Sequence, residues 1–185
     1  GACTDDDVRV VRVDTTKHVS PDELVPMDKE TVGEVVIFAP NKSTFAYYDN
    51  PKTTEEKFHN GWLYTGDLAT WDEHAYITII GRKDDMIVSA GENIYPVQVE
   101  SILNEHPKVA ESLVFGIPDP KRGSVIAALI RPSDPSLTEK EMKQFCMNHP
   151  MLAPYKRPRI FRFVKELPHN ATGKLLHKLP PDFKF

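Results

Sequence analysis

A handful of short segments carry side chains suited to work on an anionic or hydroxyl-bearing ligand. Thr65-Gly66-Asp67 presents a carboxylate whose two oxygens can accept a pair of vicinal hydroxyls. In a turn, which this triplet resembles, the same aspartate also serves to cap backbone amides. Gly81-Arg82-Lys83-Asp84-Asp85 reads as a solvated charged turn, yet the planar donor fork of Arg82 could reach a hydroxyl or a phosphate. Pro168-His169-Asn170-Ala171-Thr172-Gly173-Lys174 sets a lysine directly after a glycine in a polar loop. It is not a phosphate-cradling GxxxxGK[ST] loop, because the first glycine position falls on Pro168 and the Ser/Thr position holds Leu175. Lys174 is either simply solvated, as surface lysines mostly are, or a point charge delivered by its loop. Tyr155, Lys156, Arg157, Arg159 and Arg162 make a local basic cluster, a pattern that is ordinarily a solvated face.

The elements that must position these groups follow from periodicity. Val8 to Val13 alternates apolar and charged residues as a half-buried strand does, and Gly33 to Ala39 reads similarly. Thr53 with Glu56 predicts a capping box opening a short helix, before a turn at Asn60-Gly61. Trp62 to Tyr64 and Tyr76 to Ile80 are expected as separate strands flanking the Thr65-Gly66-Asp67 turn. After Gly81 the pattern changes. A small hairpin is expected around Ala90-Gly91, then a helix with Pro96 at its first position running to about Glu105. Val109 to Ile117 and Ser124 to Arg131 should pair as a hairpin. Thr138 with Glu141 opens a helix carrying Met142, Phe145 and Cys146 on one face, and Ile160 to Val164 adds another strand. The expectation is an α+β protein, divided into a β-rich segment over residues 1–81 and a small α+β domain over residues 82–185.

Composition excludes several classes of function. The chain has 185 residues, room for one medium domain or two small ones with a real core. Forty per cent apolar and 27% charged residues argue against wholesale disorder. Lys+Arg 23 against Asp+Glu 27 gives a net charge of −4, so no global basic field exists to hold nucleic acid. The longest apolar runs, such as Val125 to Ile130, are far too short to cross a bilayer, and nothing reads as a secretion signal, which predicts a cytoplasmic setting. Cys3 and Cys146 are far apart and outside metal-ligand spacing, so neither a disulfide framework nor a metal site is expected. The chain begins at Gly1 rather than Met, which reads as part of something longer.

Four segments in order, WLYTGDLA, GRKDDMIVSAGENIYPVQVE, LAPYKRPR and LPHNATGK, resemble the C-terminal part of the adenylate-forming superfamily, which contains acyl- and aryl-CoA synthetases and peptide-synthetase adenylation domains. The preceding VGEVVIFAPNKSTFAYYDNPKTTEEKF is similar to the same family's GEL…GY…P…T segment, with departures at Val36 and Ala46. The resemblance covers essentially the whole chain. It implies that residues 1–81 are the barrel-like end of the large AMP-binding domain and residues 82–185 its mobile C-terminal lid.

The resemblance further implies an AMP-forming acid–CoA ligase using ATP, Mg²⁺ and CoA. Asp67 matches the aspartate holding the ribose hydroxyls, Arg82 the arginine supporting the same nucleotide, and Lys174 the catalytic lysine. Asp84 matches the hinge about which the C-terminal domain rotates between half-reactions. Gly91 matches the loop lining the pantetheine tunnel, and Lys156, in the basic cluster, has the phosphates of CoA as a client. The family's Ser/Thr/Gly-rich phosphate loop and its acid pocket lie upstream of the matched region, so the expected parent is a chain of roughly 500 residues whose N-terminal domain is this portion's partner. Alone, these 185 residues are expected neither to adenylate nor to form thioesters. The acid stays open between short-chain, fatty and aromatic. Two alternatives remain: an enzyme charging a carrier protein's phosphopantetheine, disfavoured by GENIYPVQVE, and a non-catalytic binding module.

Overall fold

The computed structural model describes residues 6–40, 47, 49–171, 173 and 175–177. They form a strand-rich α+β chain in two compact units, Gly1–Asp84 and Asp85–Phe185.

The first unit is built on a curled antiparallel sheet of β1 (Val8–Arg12), β2 (Gly33–Phe38), β3 (Phe58–His59), β4 (Trp62–Trp71) and β5 (Ile77–Arg82), in the order β1-β2-β4-β3 with β5 also on β4. Adjacent Val10 and Val11 point to opposite faces, and both are fully buried. Val11 packs with Val19, Val36 and Tyr64, and Val10 with Val25 and Trp71. Val19 and Val25 come from the connection between β1 and β2, which therefore supplies cover to both faces. Its path is fixed by two long-range bonds, Tyr64 hydroxyl to the Val19 carbonyl and Trp71 indole N–H to the Val25 carbonyl at 2.9 Å. Gly33 is required where β1 and β2 meet. A Cβ there would lie 2.5 Å from the Val11 carbonyl oxygen and 2.6 Å from Val10 Cγ1.

The helix α1 (Pro51–Lys57) begins three residues earlier than the Thr53–Glu56 pair suggests. Asn50 is its cap, accepting the Thr53 N–H at 3.1 Å, and Pro51 takes the first position, where a missing N–H costs nothing. Asn60 (φ +50) and Gly61 (φ +82) then turn β3 into β4 as an Asn-Gly pair does in a tight hairpin.

In the second unit, β8 (Val109–Asp119) and β9 (Gly123–Pro132) form the expected antiparallel hairpin, and β10 (Ile160–Phe163) adds in parallel to β9. The run from Val125 to Ile130 is continuously apolar because both faces of β9 are covered. Ile126, Ala128 and Ile130 join a core with Val99 and Leu103 of α2 (Pro96–Leu103) and with Met142 and Cys146 of α3 (Glu139–Asn148). Ala127 and Leu129 face the other way, against Leu167 and Leu175 from the tail. The small hairpin β6 (Ile87–Ser89) and β7 (Glu92–Ile94) precedes α2. Thr138 caps α3 as expected, its hydroxyl accepting the Glu141 N–H at 3.2 Å, but Glu141 turns its carboxylate to Lys108 at 3.0 Å instead of closing the box. Among the described residues no helix is long and apolar enough to cross a membrane.

Candidate functional site

Thr65-Gly66-Asp67 is not a turn between two strands. It lies inside the ten-residue strand β4, where Gly66 (φ +75) creates an irregularity opposite β2: Glu34 pairs with Leu68 while Val36 pairs with Tyr64. The alternation broken by Gly66 hides the continuity of the strand from sequence. Polar bonds hold the distortion. Thr65 Oγ1 donates to the Val35 carbonyl at 2.8 Å, the Gly66 N–H donates to Glu34 Oε1 at 3.2 Å, and the Asp67 N–H donates to Thr65 Oγ1 at 3.0 Å. Glycine is needed for its backbone conformation; a Cβ would come within 3.1 Å of Lys57 Nζ and 3.3 Å of Arg82 Nη2, flexible side-chain ends that can give way.

The distortion sets Asp67 opposite Arg82 in the β4–β5 register, and the guanidinium donates to Asp67 Oδ1. Both side chains are 38% exposed. The arrangement leaves a carboxylate held in one orientation by a neighbouring cation and still reachable by a hydroxyl-bearing ligand. Directly beside it, Lys83 Nζ meets Glu34 Oε2 at 2.7 Å, with the Glu34 side chain only 3% exposed. Glu34 thus fixes the Gly66 amide with one oxygen and Lys83 with the other. His18 stacks on His59 with ring centroids 3.8 Å apart and on Tyr64 at 4.4 Å. Loss of water around its ring lowers the His18 pKa, and the charges of His59 and Lys83 add to this.

In the second unit, Gly91 (φ +86) follows Ala90 (φ +52) at the tip of the β6–β7 hairpin. It is exposed, and a Cβ there would meet nothing within 4 Å, so its backbone conformation rather than crowding selects glycine. The hairpin tip is tied to the β8–β9 hairpin by the Ala90 N–H to the Arg122 carbonyl at 2.8 Å and by Ser89 Oγ to the Ser124 carbonyl at 2.7 Å. Lys156 is half-buried in a short 3₁₀ turn, its ammonium 3.4 Å from Gln98 Oε1 of α2 and 5.8 Å from the Tyr155 ring centroid. Arg157 of the same basic cluster has a structural job, donating to the Leu152 carbonyl at 3.1 Å. Asp84 is exposed, in the 3₁₀ turn Lys83–Asp85, and is the last residue of the first unit. Lys174 lies outside the described residues; its neighbours Gly173 (φ +80) and Leu175 are within them.

Of the residues singled out from sequence, the fold brings Asp67 and Arg82 into contact, while Gly91 and Lys156 occupy separate turns of the second unit. Of the three buried carboxylates among the described residues, Glu34, Asp72 and Glu100, none was singled out from sequence, and two brace the features above. Glu34 in β2 looked like one more polar residue of an alternating strand. Glu100 lies on the same helix face as buried Pro96, Val99 and Leu103. A carboxylate on an otherwise apolar helix face was the available signal. Glu100 Oε1 accepts the Val114 N–H at 2.7 Å and faces His177 Nε2 at 2.9 Å. Cys146, the free cysteine among the described residues, is buried in the core, and burial pushes its thiol up to about 11, which leaves it inert.

Comparison with known proteins places these features. Residues 98–174 match the AMP-binding enzyme C-terminal domain. The 2-succinylbenzoate–CoA ligase of Bacillus cereus (strain Q1) is 45% identical over 148 residues, which is 80% of this chain and 30% of the relative. Among solved structures, the o-succinylbenzoate CoA synthetase of Bacillus subtilis in complex with its acyl-adenylate intermediate superposes with a TM-score of 0.77 at 34% identity, covering 96% of this chain and 34% of that one. An amide bond synthetase from Marinactinospora thermotolerans gives a TM-score of 0.73 at 28% identity over 93% of this chain and 34% of that one. The chain spans about 30% of the length of the curated relatives it matches. Residues 98–174 are thus similar to the AMP-binding enzyme C-terminal domain, and the chain as a whole is similar to about a third of the solved CoA synthetase and amide bond synthetase.

Proposed function

We propose that this chain is the C-terminal portion of an ATP-dependent, AMP-forming acid–CoA ligase. The observation that carries the reading is the 45% identity to a 2-succinylbenzoate–CoA ligase over four-fifths of the chain. In the first half-reaction a carboxylate oxygen of the acid attacks the α-phosphorus of ATP and pyrophosphate leaves. In the second, the CoA sulfur attacks the acyl carbon, the thiol proton is lost, and AMP leaves.

Asp67 accepts the two ribose hydroxyls, and Arg82 both orients that carboxylate and supports the nucleotide. Their pairing across β4–β5 and their shared exposure support this role. Lys174 supplies the cation between two anionic reactants, lowering their repulsion and stabilising charge that develops at phosphorus. Asp84, exposed in a single 3₁₀ turn between the two units, is the hinge that withdraws Lys174 after adenylation. Gly91 lets pantetheine pass beside backbone, and Lys156, with one long bond to Gln98, is available to a CoA phosphate. On this reading the first unit ends the AMP-binding domain and the second is the mobile lid. Mg²⁺ travels on the phosphates of ATP. The described residues include no group of three or more His, Cys, Asp or Glu able to hold a metal, so no residue here is assigned to it.

The test uses the protein extended to the length of its relatives, with a panel of carboxylic acids headed by 2-succinylbenzoate. Acid-dependent pyrophosphate release and CoA-dependent thioester formation are expected; the 185-residue chain alone should show neither. Absence of acid-dependent pyrophosphate release from the extended protein rejects the ligase reading. Pyrophosphate release without thioester moves the acceptor to a carrier-protein thiol or an amine.

A further inference from the structure

The described residues between Pro168 and His177 are tied together by backbone bonds. His169 and Leu175 form an antiparallel bridge, the Leu176 N–H donates to the Pro168 carbonyl at 2.9 Å, and the Gly173 N–H donates to the Asn170 carbonyl at 2.9 Å. Leu175 packs against the apolar group that contains Leu113, Leu129 and Leu167. Each side of this segment carries a histidine seated on a carboxylate from the body of the unit. His169 has Nε2 at 2.9 Å from Glu111 Oε1 and Nδ1 at 2.8 Å from the Leu167 carbonyl. His177 has Nε2 at 2.9 and 3.2 Å from the two Glu100 oxygens and Nδ1 at 3.8 Å from Asp85 Oδ2.

Both nitrogens of the His169 ring are within hydrogen-bond distance of oxygens that can only accept; His177 has such oxygens at Nε2, with the Asp85 carboxylate at ion-pair distance from Nδ1. A neutral imidazole has one N–H and one lone pair, so it must set that lone pair against an acceptor. The doubly protonated ring donates from both sides. The Glu100 carboxylate that seats His177 is buried, and its Oε1 also holds the Val114 amide.

We propose that His169 and His177 are positioning residues that form a proton-dependent latch, holding the described residues on either side of Lys174 against the body of the second unit. The inference rests on the reading of Lys174 as the delivered cation. The charged groups facing His169 are Glu111 of β8 and Arg131 of β9, with Lys165 and Glu166 lining the same cleft. Among the described residues, Glu100 of α2 and Asp85 of the turn before β6 face His177, with Lys174 and Lys178 its neighbours in sequence. The Glu111 hydrogen bond raises the His169 pKa above the ordinary imidazole value, and Arg131 opposes it. A pKa raised on folding gives a contribution that is complete below the ordinary imidazole value and lost as pH rises through the raised one, so the latch opens on the alkaline side.

Amide hydrogen exchange and ¹⁵N-imidazole NMR on the 185-residue chain, from about pH 5.5 to about pH 8.5, test this directly. After correction for the intrinsic exchange rate, protection of the Leu176 amide should fall on the order of tenfold across the range. Both rings should carry two protons at the acidic end. His177→Arg, a permanent charge with several donors, should keep protection high and flat with pH, whereas His177→Gln should lower it at the acidic end. A flat profile in the unsubstituted chain, or rings that are neutral at the acidic end, overturns the latch. If His177→Gln unfolds the unit, the unsubstituted profile and the Arg variant still decide. None of these readouts involves turnover. Full activity of Lys174→Ala in the extended protein would overturn the lysine's role while the exchange data judge the latch separately.

Discussion

In the first unit, Glu34, Asp67, Arg82 and Lys83 project from or directly follow strands whose register is set by continuous ladders, and each is paired to another of the four. In the second unit, Gly91, Lys156, His169 and His177 stand on turns and on the tail, held by one or a few side-chain or turn bonds. A ladder position is shared with every neighbouring residue and cannot shift alone, which suits a group that must always hold the same part of a ligand. A loop held by a few bonds can be released at small cost, which suits a charge that must arrive and then leave. One histidine in each unit is shifted in the opposite direction, because His18 is crowded by partial burial and by positive charge while His169 is seated on a carboxylate.

The largest effect tests that division. Lys174→Ala in the extended protein should slow adenylation on the order of 10²- to 10³-fold while sparing CoA attack on supplied acyl-adenylate. Asp84→Pro should do the reverse, slowing thioester formation and leaving adenylation largely intact. Single-turnover assays of each half-reaction separate the two, and equal loss of both steps in both variants would erase the contrast between fixed and delivered groups.

Glu34→Ala should destabilise the first unit by about 3 kcal/mol, because it strands the half-buried Lys83 ammonium and the Gly66 amide together. Glu34→Gln keeps an acceptor for Gly66 and should cost less. Urea unfolding measures both, and a neutral Glu34→Ala would mean that the ladder alone holds the Asp67–Arg82 site. A smaller effect separates the two possible caps of α1. Asn50→Ala should cost about 1 kcal/mol and Thr53→Ala less than about 0.5 kcal/mol, since only Asn50 accepts the orphan amide. The smallest is the pH contrast. The His18 pKa is lowered on folding, so its contribution is present above the ordinary imidazole value and lost as pH falls through it; that of His169 is lost as pH rises. Histidine ring titration by NMR should place His18 below and His169 above the ordinary value, and a common value for both would dissolve the distinction.

Much of the fold was legible because local chemistry and tertiary demand agree where strands are regular. The Asn60-Gly61 and Ala90-Gly91 turns, the β8–β9 hairpin and the Thr138 cap all follow from residues within a few positions of one another. Reading failed where a local signal was ambiguous or broken. Thr65-Gly66-Asp67 has turn composition but lies within a strand, because Glu34, Val35 and Arg82 from other strands supply the partners that a turn would otherwise satisfy internally. Thr53–Glu56 has the spacing of a capping box, yet Asn50-Pro51 wins, combining a better cap with a residue already fixed at a helical φ.

The order of the motifs and the α+β alternation were legible in the sequence alone, since each depends on residue type and short spacing, and the resemblance of those motifs singled out Asp67, Arg82 and Lys174 as candidates. The Asp67–Arg82 pairing, the buried Glu34 that braces it, and the seating of His177 on Glu100 were decided only by the tertiary structure. Those contacts join residues 15, 49 and 77 positions apart, and their geometry is set by strand register and helix packing rather than by any local preference.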